Sequence, residues 1–349
     1  MNAKALFLAL FLPSAATAQG FAGLGTEATG FAIPQNPPSF SFPADHGAHE
    51  SYRIEWWYLT ATLQGADGRD YGIQWTLFRT ASAPEPASLW GTEQIWMGHA
   101  GLTAPDAHFV AERLARGGTG QAGVSTAPFA AWIDDWAMTG EGGEDALDAL
   151  RLTARASDFS YDLALSATGP LVFHGQDGYS VKSPEGQASY YYSQPFYDVS
   201  GTIALLDGEI AVTGQGWLDR EWSSQPLSDT QDGWDWISLT FDDGARLMGF
   251  RLRDRAGPDF TSGTWIEPDG TSTAIPDGVL TLTPIATHAV AGREVPTRWQ
   301  IELPSRDLSV EIDALNPDAW MATSFPYWEG PVGISGSHQG RGYLEMTGY

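Results

Sequence analysis

The sequence predicts an all-β protein built from two related, barrel-like antiparallel halves in tandem. Aromatic residues are dense, with 15 Trp, 12 Tyr and 16 Phe, and 40 Gly and 22 Pro punctuate them. Apolar runs are short and bounded by turn residues, and long helical periodicity is missing, which is the signature of many strands and tight turns. The hairpin that opens near Glu55 also returns near Asp235.

The first strand is expected over Glu55–Leu63 and the second over Tyr71–Arg79. The Gly/Asp turn between them makes a hairpin. Further strands are expected at Gln94–Thr103, Leu150–Ser157, Tyr161–Ala167, Gly201–Leu206 and Glu209–Trp217. The second half should use Trp234–Phe241, Ala245–Leu252, Gly263–Ile266, Val279–Pro284, Thr297–Leu303, Ser309–Ala314 and Gly340–Met346. Only a short helix fits, near Ala127–Trp136. Many short strands with regular turns suggest a sandwich or a barrel.

The repeat is weak but ordered. Glu55-Trp56-Trp57-Tyr58-Leu59-Thr60 parallels Asp235-Trp236-Ile237-Ser238-Leu239-Thr240, each run followed by a D-G turn. Near the ends, Gly214-Gln215-Gly216-Trp217-Leu218-Asp219 parallels Gly340-Arg341-Gly342-Tyr343-Leu344-Glu345. A repeat of this size is a duplicated domain and not a solenoid unit. The expected organisation is a leader over 1–18, an extended lead-in over 19–44, one domain over 45–225 and a second over 234–349.

The leader is read from Lys4, the short apolar run Ala5–Leu12 and the small-x-small site Ala16-Thr17-Ala18. It predicts a periplasmic or secreted protein with no membrane span in the mature chain. There is no Cys, so disulfides, thiol chemistry and lipid attachment at the cleavage site are excluded. Stability must come from a large core, which about 330 mature residues can supply. The formal net charge is −25, which argues against a nucleic-acid partner.

Two polar–aromatic clusters stand out. In the first, Asp45, His46 and His49 precede Glu55-Trp56-Trp57-Tyr58. His46 and His49 with a carboxylate are candidate metal ligands, set against a His that anchors the barrel entrance by hydrogen bonds. Glu55, pointing inward among aromatics, would be a desolvated proton donor, or the partner of an Arg such as Arg79 or Arg220. In the second cluster, strand parity puts Asp219 and Glu221 on one face and Arg220 and Trp222 on the other. The ordinary alternative there is a solvated closing strand with an ion pair.

Three further positions are candidates. His99 lies in an apolar strand and is either a satisfied core residue or a catalyst. Lys182 is the only lysine after the leader and is expected in an interior salt bridge or a ligand contact; a depressed-pKa base beside Ser180 is the sharper alternative. Alternate residues of Tyr190-Tyr191-Tyr192 should point to opposite faces, one lining a pocket. No G-x-S-x-G elbow accompanies them.

The ordered set D-H-G-A-H, E-W-W-Y-L-T, G-H-A-G-L-T, G-Y-S-V-K-S with Y-Y-Y-S, and W-L-D-R-E-W-S-S resembles the AttH/CrtC-like family from about Phe42 to Tyr349. That family includes secreted "predicted hydrolases" and the carotenoid 1,2-hydratases. The resemblance implies two lipocalin-like (calycin) β-barrel domains, and a chemistry without a cofactor in which an acid in an apolar site protonates an isolated C=C bond before water attacks. Trp and Tyr faces would steady the cation. In the carotenoid hydratases a D-H-N-W element stands where this chain has Asp219-Arg220-Glu221-Trp222; Asp219 and Trp222 match and the His does not. The secreted branch often accompanies an ABC exporter.

The expected catalytic residues are Glu55, Asp219, Glu221 and His99. The expected ligand-binding residues are His49, Trp56, Trp57, Trp75, Lys182, Tyr192, Trp217, Arg220 and Trp222. No cofactor and no bound metal are expected, and the ligand is an apolar isoprenoid or lipid held in an aromatic barrel interior. Three functions compete: a carrier linked to an ABC transport system, a hydratase or lyase, and a metal-dependent hydrolase. An enzyme requires one of the carboxylates to face a cavity with few partners. A carrier requires those charges to be paired with Arg or Lys182 around a purely apolar cavity.

Overall fold

A computed structural model describes residues 28–84 and 92–349. The expected leader and the first part of the lead-in lie outside these residues. The described chain has no α-helix. It forms two antiparallel sheets, each curled into a barrel-like half.

The first sheet is ordered β4 (Ala107–Arg116), β3 (Gln94–Ala104), β2 (Asp70–Ala81), β1 (Ile54–Gly65), β13 (Gly208–Ser223), β12 (Ala188–Leu205), β9 (Ser160–Ala167), β8 (Ala149–Arg155), β7 (Trp136–Gly142), β6 (Phe129–Ile133) and β5 (Ala122–Thr126). The short β10 (Val172–Phe173) and β11 (Tyr179–Val181) pair with β12. The second sheet is ordered β17 (Ser272–Ile275), β16 (Phe260–Ile266), β15 (Arg246–Asp254), β14 (Gln231–Phe241), β23 (Gly340–Met346), β22 (Tyr327–Gly336), β20 (Leu308–Ala314), β19 (Arg293–Leu303) and β18 (Thr281–Val290). β21 (Trp320–Met321) pairs with β22. Thus β1 lies between β2 and β13 as β14 lies between β15 and β23, and the sequence repeat is a repeat of this three-strand unit.

The sequence expectation differs from the structure over Ala127–Trp136. This stretch forms β6 and the turn into β7, because Phe129, Ala131 and Ile133 are buried in alternation with half-buried neighbours. That is the period of a strand, not of a helix. The end of the lead-in is also more than a linker. Phe40 packs 5.8 Å from Trp222, and Phe42 stacks on His46 at 4.6 Å, so both help close one end of the first barrel.

The barrel interiors are filled by side chains. Trp57, Leu59, Trp75 and Leu77 are fully buried in the first core; Ile237, Leu247, Trp299 and Trp328 are fully buried in the second. Each buried Leu or Phe side chain contributes about 1.5–3 kcal/mol. An open cavity of about 320 Å³ lies at the rim of the first barrel, beside Phe42, Phe129 and Asp145. The aromatic interior expected to hold a ligand is therefore packed core.

A third cluster joins the sheets. Tyr58, Tyr191 and Trp217 of the first half meet Trp236, Met248, Phe250 and Tyr343 of the second. Gly72 marks how close the halves come, since a Cβ there would fall 2.6 Å from Pro331 and 2.7 Å from the Tyr343 hydroxyl.

Candidate active site at the seam between the sheets

Strand register sorts the expected site residues onto two opposite faces. On β1 and β13, Glu55 lies opposite Trp222 and Trp57 opposite Arg220, whereas Trp56 lies opposite Glu221 and Tyr58 opposite Asp219. Alternation then sends Glu55, Trp57, Arg220 and Trp222 into the first barrel, and Trp56, Tyr58, Asp219 and Glu221 toward the second sheet. The same parity carries Trp75 and Tyr192 inward, and His99, opposite Thr76, toward the seam.

The inward face is a closed ion-pair network. Glu55 is fully buried. Its Oε1 receives Arg220 at 2.7 Å and lies 2.6 Å from His49 Nδ1; its Oε2 receives Arg79 Nε at 3.0 Å and the His49 backbone N–H at 2.8 Å. The Arg220 guanidinium lies 3.9 Å over the Trp57 ring, and His49 stacks on Trp222 at 3.9 Å. Burial alone would raise the Glu55 pKa, but Arg220, the His49 hydrogen bond and Arg79 overcome it and hold it down at about 2. Burial likewise opposes charge on His49, and its bonds to Asp45 and Glu55 more than offset this, so its pKa is raised. Glu55 is therefore a fixed anion and not the proton donor weighed from the sequence. His46 points elsewhere, to Tyr192 Oη at 2.7 Å and Asp145 at 3.1 Å. His46 and His49 do not converge, and among the described residues no three His, Asp or Glu side chains gather as a metal-ligand set.

The outward face holds a different chemistry. Asp219 is 2% exposed. Its Oδ1 accepts Tyr191 Oη–H at 2.8 Å, Trp217 Nε1–H at 3.0 Å and the Ser193 hydroxyl. Its Oδ2 has no partner, and among the described residues no cation pairs with it. Burial lifts the Asp219 pKa, the Ser193, Trp217 and Tyr191 bonds pull against it, and Glu221 adds to the rise, which reaches about 7. The three donors on Oδ1 leave Oδ2 as the oxygen that carries the proton.

With Ser193 as the donor to Asp219, the roles behind Oδ1 follow. Ser193 donates to Asp219, so it accepts from His174 Nε2–H at 2.6 Å; His174 Nδ1 is then the acceptor for Thr264 Oγ1–H at 2.9 Å. His174 stays neutral, its pKa pushed down to about 3 by burial and by Lys182. Thr264 belongs to β16, so this line ties the acid to the second half.

Glu221 is paired: Lys182 Nζ lies 2.8 Å from its Oε1, 4.2 Å above the Phe250 ring and 4.8 Å above the Tyr191 ring. His99 is held between Tyr327 Oη at 3.0 Å and Glu112 at 3.2 Å, and burial lowers its pKa. It bridges the two halves at the edge of the seam and does not touch Asp219.

Two seam acids escaped the sequence reading. Glu329 is 1% exposed, accepts the Tyr58 hydroxyl, and has its pKa raised well above the ordinary range by burial. Half-buried Glu345 accepts Trp234 Nε1–H, and burial, against that bond, lifts it to about 7. The signal for Glu345 was present, since the end-of-repeat comparison sets it beside Asp219; the strand registers instead set it beside Glu221. Both alignments keep an acid on the seam face. Glu329 gave no such signal, because Gly330 and Pro331 interrupt the strand pattern around it.

A sequence model of the AttH-like family matches residues 33–349. The chain belongs to the AttH-like family. The crystal structure of an AttH candidate from Nitrosomonas europaea is 33% identical to this AttH-like chain, with a TM-score of 0.82 over 91% of this chain and 99% of that one. Kievitone hydratase from Nectria haematococca is 17% identical, with a TM-score of 0.67 over 91% of this chain and 98% of that one, and so shares the hydratase-type fold. No functionally curated protein matches the AttH-like chain.

Proposed function

We propose that this chain is an exported acid–base enzyme of the hydratase or lyase kind, acting on a largely apolar molecule with a C=C bond at the seam between the sheets. One observation carries the reading: Asp219 is buried without a cation, with all its donors on Oδ1 and with Oδ2 sealed from solvent and lacking a hydrogen-bond partner. Such a carboxyl keeps its proton near neutral pH and presents it to whatever lies against Oδ2.

In hydration, Asp219 gives its proton to one alkene carbon, water oxygen bonds to the other, and the proton released by that water restores Asp219. Tyr191, Trp217 and Ser193 hold the carboxylate formed in between. The reverse sequence is a dehydration. The fold shared with a protein named a hydratase is compatible with this chemistry, and so is the family resemblance in the sequence.

A second reading is a carrier of an isoprenoid or lipid serving an ABC transport system. The pairing of Glu55 with Arg79 and Arg220, and of Glu221 with Lys182, favours it. Native mass spectrometry with lipid extraction, on protein taken from the periplasm of its own organism, separates the two. An extracted alkene that gains one water in the presence of the protein supports the enzyme; an intact, unchanged lipid supports the carrier. N-terminal sequencing of the same sample tests cleavage after Ala18.

A further inference from the structure

Resting on the assignment of Asp219 as the acid, we infer that the reacting double bond is conjugated to an oxygen function, as in an enone, and that Lys182 receives that oxygen. Lys182 is the chain's only lysine besides Lys4, and it is 6% exposed. Among the described residues its ammonium has one carboxylate partner, Glu221 at 2.8 Å, while the Phe250 and Tyr191 ring faces lie 4.2 and 4.8 Å from Nζ. An ammonium has three N–H donors, and ring faces satisfy them only weakly. Lys182 is thus a buried cation with spare donor capacity on the same seam face as the acid. Tyr191 joins the two groups, giving its ring to Lys182 and its hydroxyl to Asp219.

This arrangement suits one class of double bond and opposes the other. Protonating an isolated alkene makes a carbocation. Here the Lys182 ammonium already occupies the Phe250 and Tyr191 faces that would otherwise stabilise such a cation. A carboxyl that ionises near neutrality is also a weak acid for an unactivated alkene. When the bond is conjugated to a carbonyl, these features become favourable. Water adds to the β-carbon, electron density moves onto the carbonyl oxygen beside Lys182, and Asp219 delivers a proton to the α-carbon as the enolate collapses. The proton lost by the attacking water returns to Asp219, so substrate plus water balances product. Lys182 would then act as an oxyanion holder, exchanging part of its Glu221 contact for the developing charge.

The test uses the full mature chain and two probes of similar size and shape: β-ionone, which is an enone, and its oxygen-free hydrocarbon counterpart. Binding is followed by Trp fluorescence, and polarisation of the bound enone by its ultraviolet band. The expected result is at least tenfold tighter binding of β-ionone, with a red-shifted band. Both effects should vanish in Lys182→Met/Glu221→Gln, which leaves no unpaired buried charge, while the hydrocarbon still binds, as tightly as to the wild type or more so. Equal binding, preference for the hydrocarbon, no binding of either probe, or discrimination that survives in the double variant overturns the inference. Deuterium incorporation from D₂O at the enone α-carbon reports on Asp219 separately. Lys182-dependent binding without incorporation would leave the oxyanion site standing and remove the catalytic reading.

Discussion

Asp219 and Glu221 project from the same face of one strand, two residues apart, and only Glu221 has a cation, Lys182 at 2.8 Å. The difference follows from their neighbours. Asp219 lies opposite Ser193 and Tyr58, while Glu221 lies opposite Tyr191 and Trp56, within reach of the segment after β11 that carries Lys182. One carboxyl is held as a partnered anion and the other is left to keep a proton, the division of labour expected where acid chemistry runs near neutral pH.

Asp219→Asn should abolish proton transfer without unfolding the protein. The amide keeps an oxygen for Tyr191, Trp217 and Ser193 and puts at the Oδ2 position an NH₂ that transfers no proton. General acid–base catalysis contributes about 10²–10⁴-fold, so turnover or deuterium incorporation should fall by that factor while the melting temperature holds or rises. Unchanged turnover in the folded variant would remove Asp219 from the mechanism.

The pH dependence of stability should carry opposite signs at the two carboxylates. Asp219 is raised from its ordinary 3.8 to about 7. Its contribution is complete below pH 4 and is lost as the pH rises toward 7, because the folded state binds the proton that the unfolded state releases. The span is on the order of 4 kcal/mol. Glu55 is lowered from 4.5 to about 2, so its contribution is present above about pH 4.5 and is lost as the pH falls through 2. Denaturant unfolding across pH 3–8 should show stability declining between 4 and 7, and Asp219→Asn should remove its share of that decline and leave the share of Glu345 and Glu329, which burial also raises. A wild-type curve that rises over this window would contradict the raised acid.

Much of this organisation was legible in the sequence, and the reasons differ by element. The paired E-W-W-Y-L-T and D-W-I-S-L-T runs exposed the duplication, and period-two alternation at Asp219 and Glu221 already placed both acids on one face. What parity could not show was which face looked into a barrel and which onto the other half. Glu55 and Asp219 therefore look alike in the sequence although a sheet separates them. The helix expected at Ala127–Trp136 shows another limit, since a five-residue strand is too short for its alternation to outweigh its alanines. His174, Ser193 and Thr264 form one hydrogen-bonded line from three distant stretches, so only the folded chain brings them together.

Glu55→Gln should damage stability rather than chemistry. The carboxylate satisfies Arg79 and Arg220, both fully buried. Removing one member of a buried ion pair typically costs about 3–5 kcal/mol. Here the remaining bonds of Arg79 to Gln94 and to the His49 and Tyr52 carbonyls place the expectation near the lower end. Chemical denaturation gives the loss, and turnover per folded molecule should stay at the wild-type value. A stable variant with lost turnover would move the acid to the inner face.

Tyr191→Phe should retune the acid without removing it. The Tyr191 hydroxyl donates to Asp219 Oδ1 at 2.8 Å and accepts Trp236 Nε1–H at 3.1 Å. Its bond stabilises the ionised carboxylate, so deleting it raises the Asp219 pKa further above about 7. Under the proposed mechanism the protonated form is the active one, so the alkaline limb of the pH–rate profile should move to higher pH, while the rate at the plateau falls as the carboxylate formed during proton transfer loses a donor. The change also leaves the Trp236 N–H without its partner, at a cost of about 1–3 kcal/mol. A pH–rate profile, with folding checked at each pH, separates these effects. A limb that stays in place would mean that Asp219 is not the titrating acid, and a limb displaced toward lower pH would mean that Tyr191 had been stabilising the neutral carboxyl.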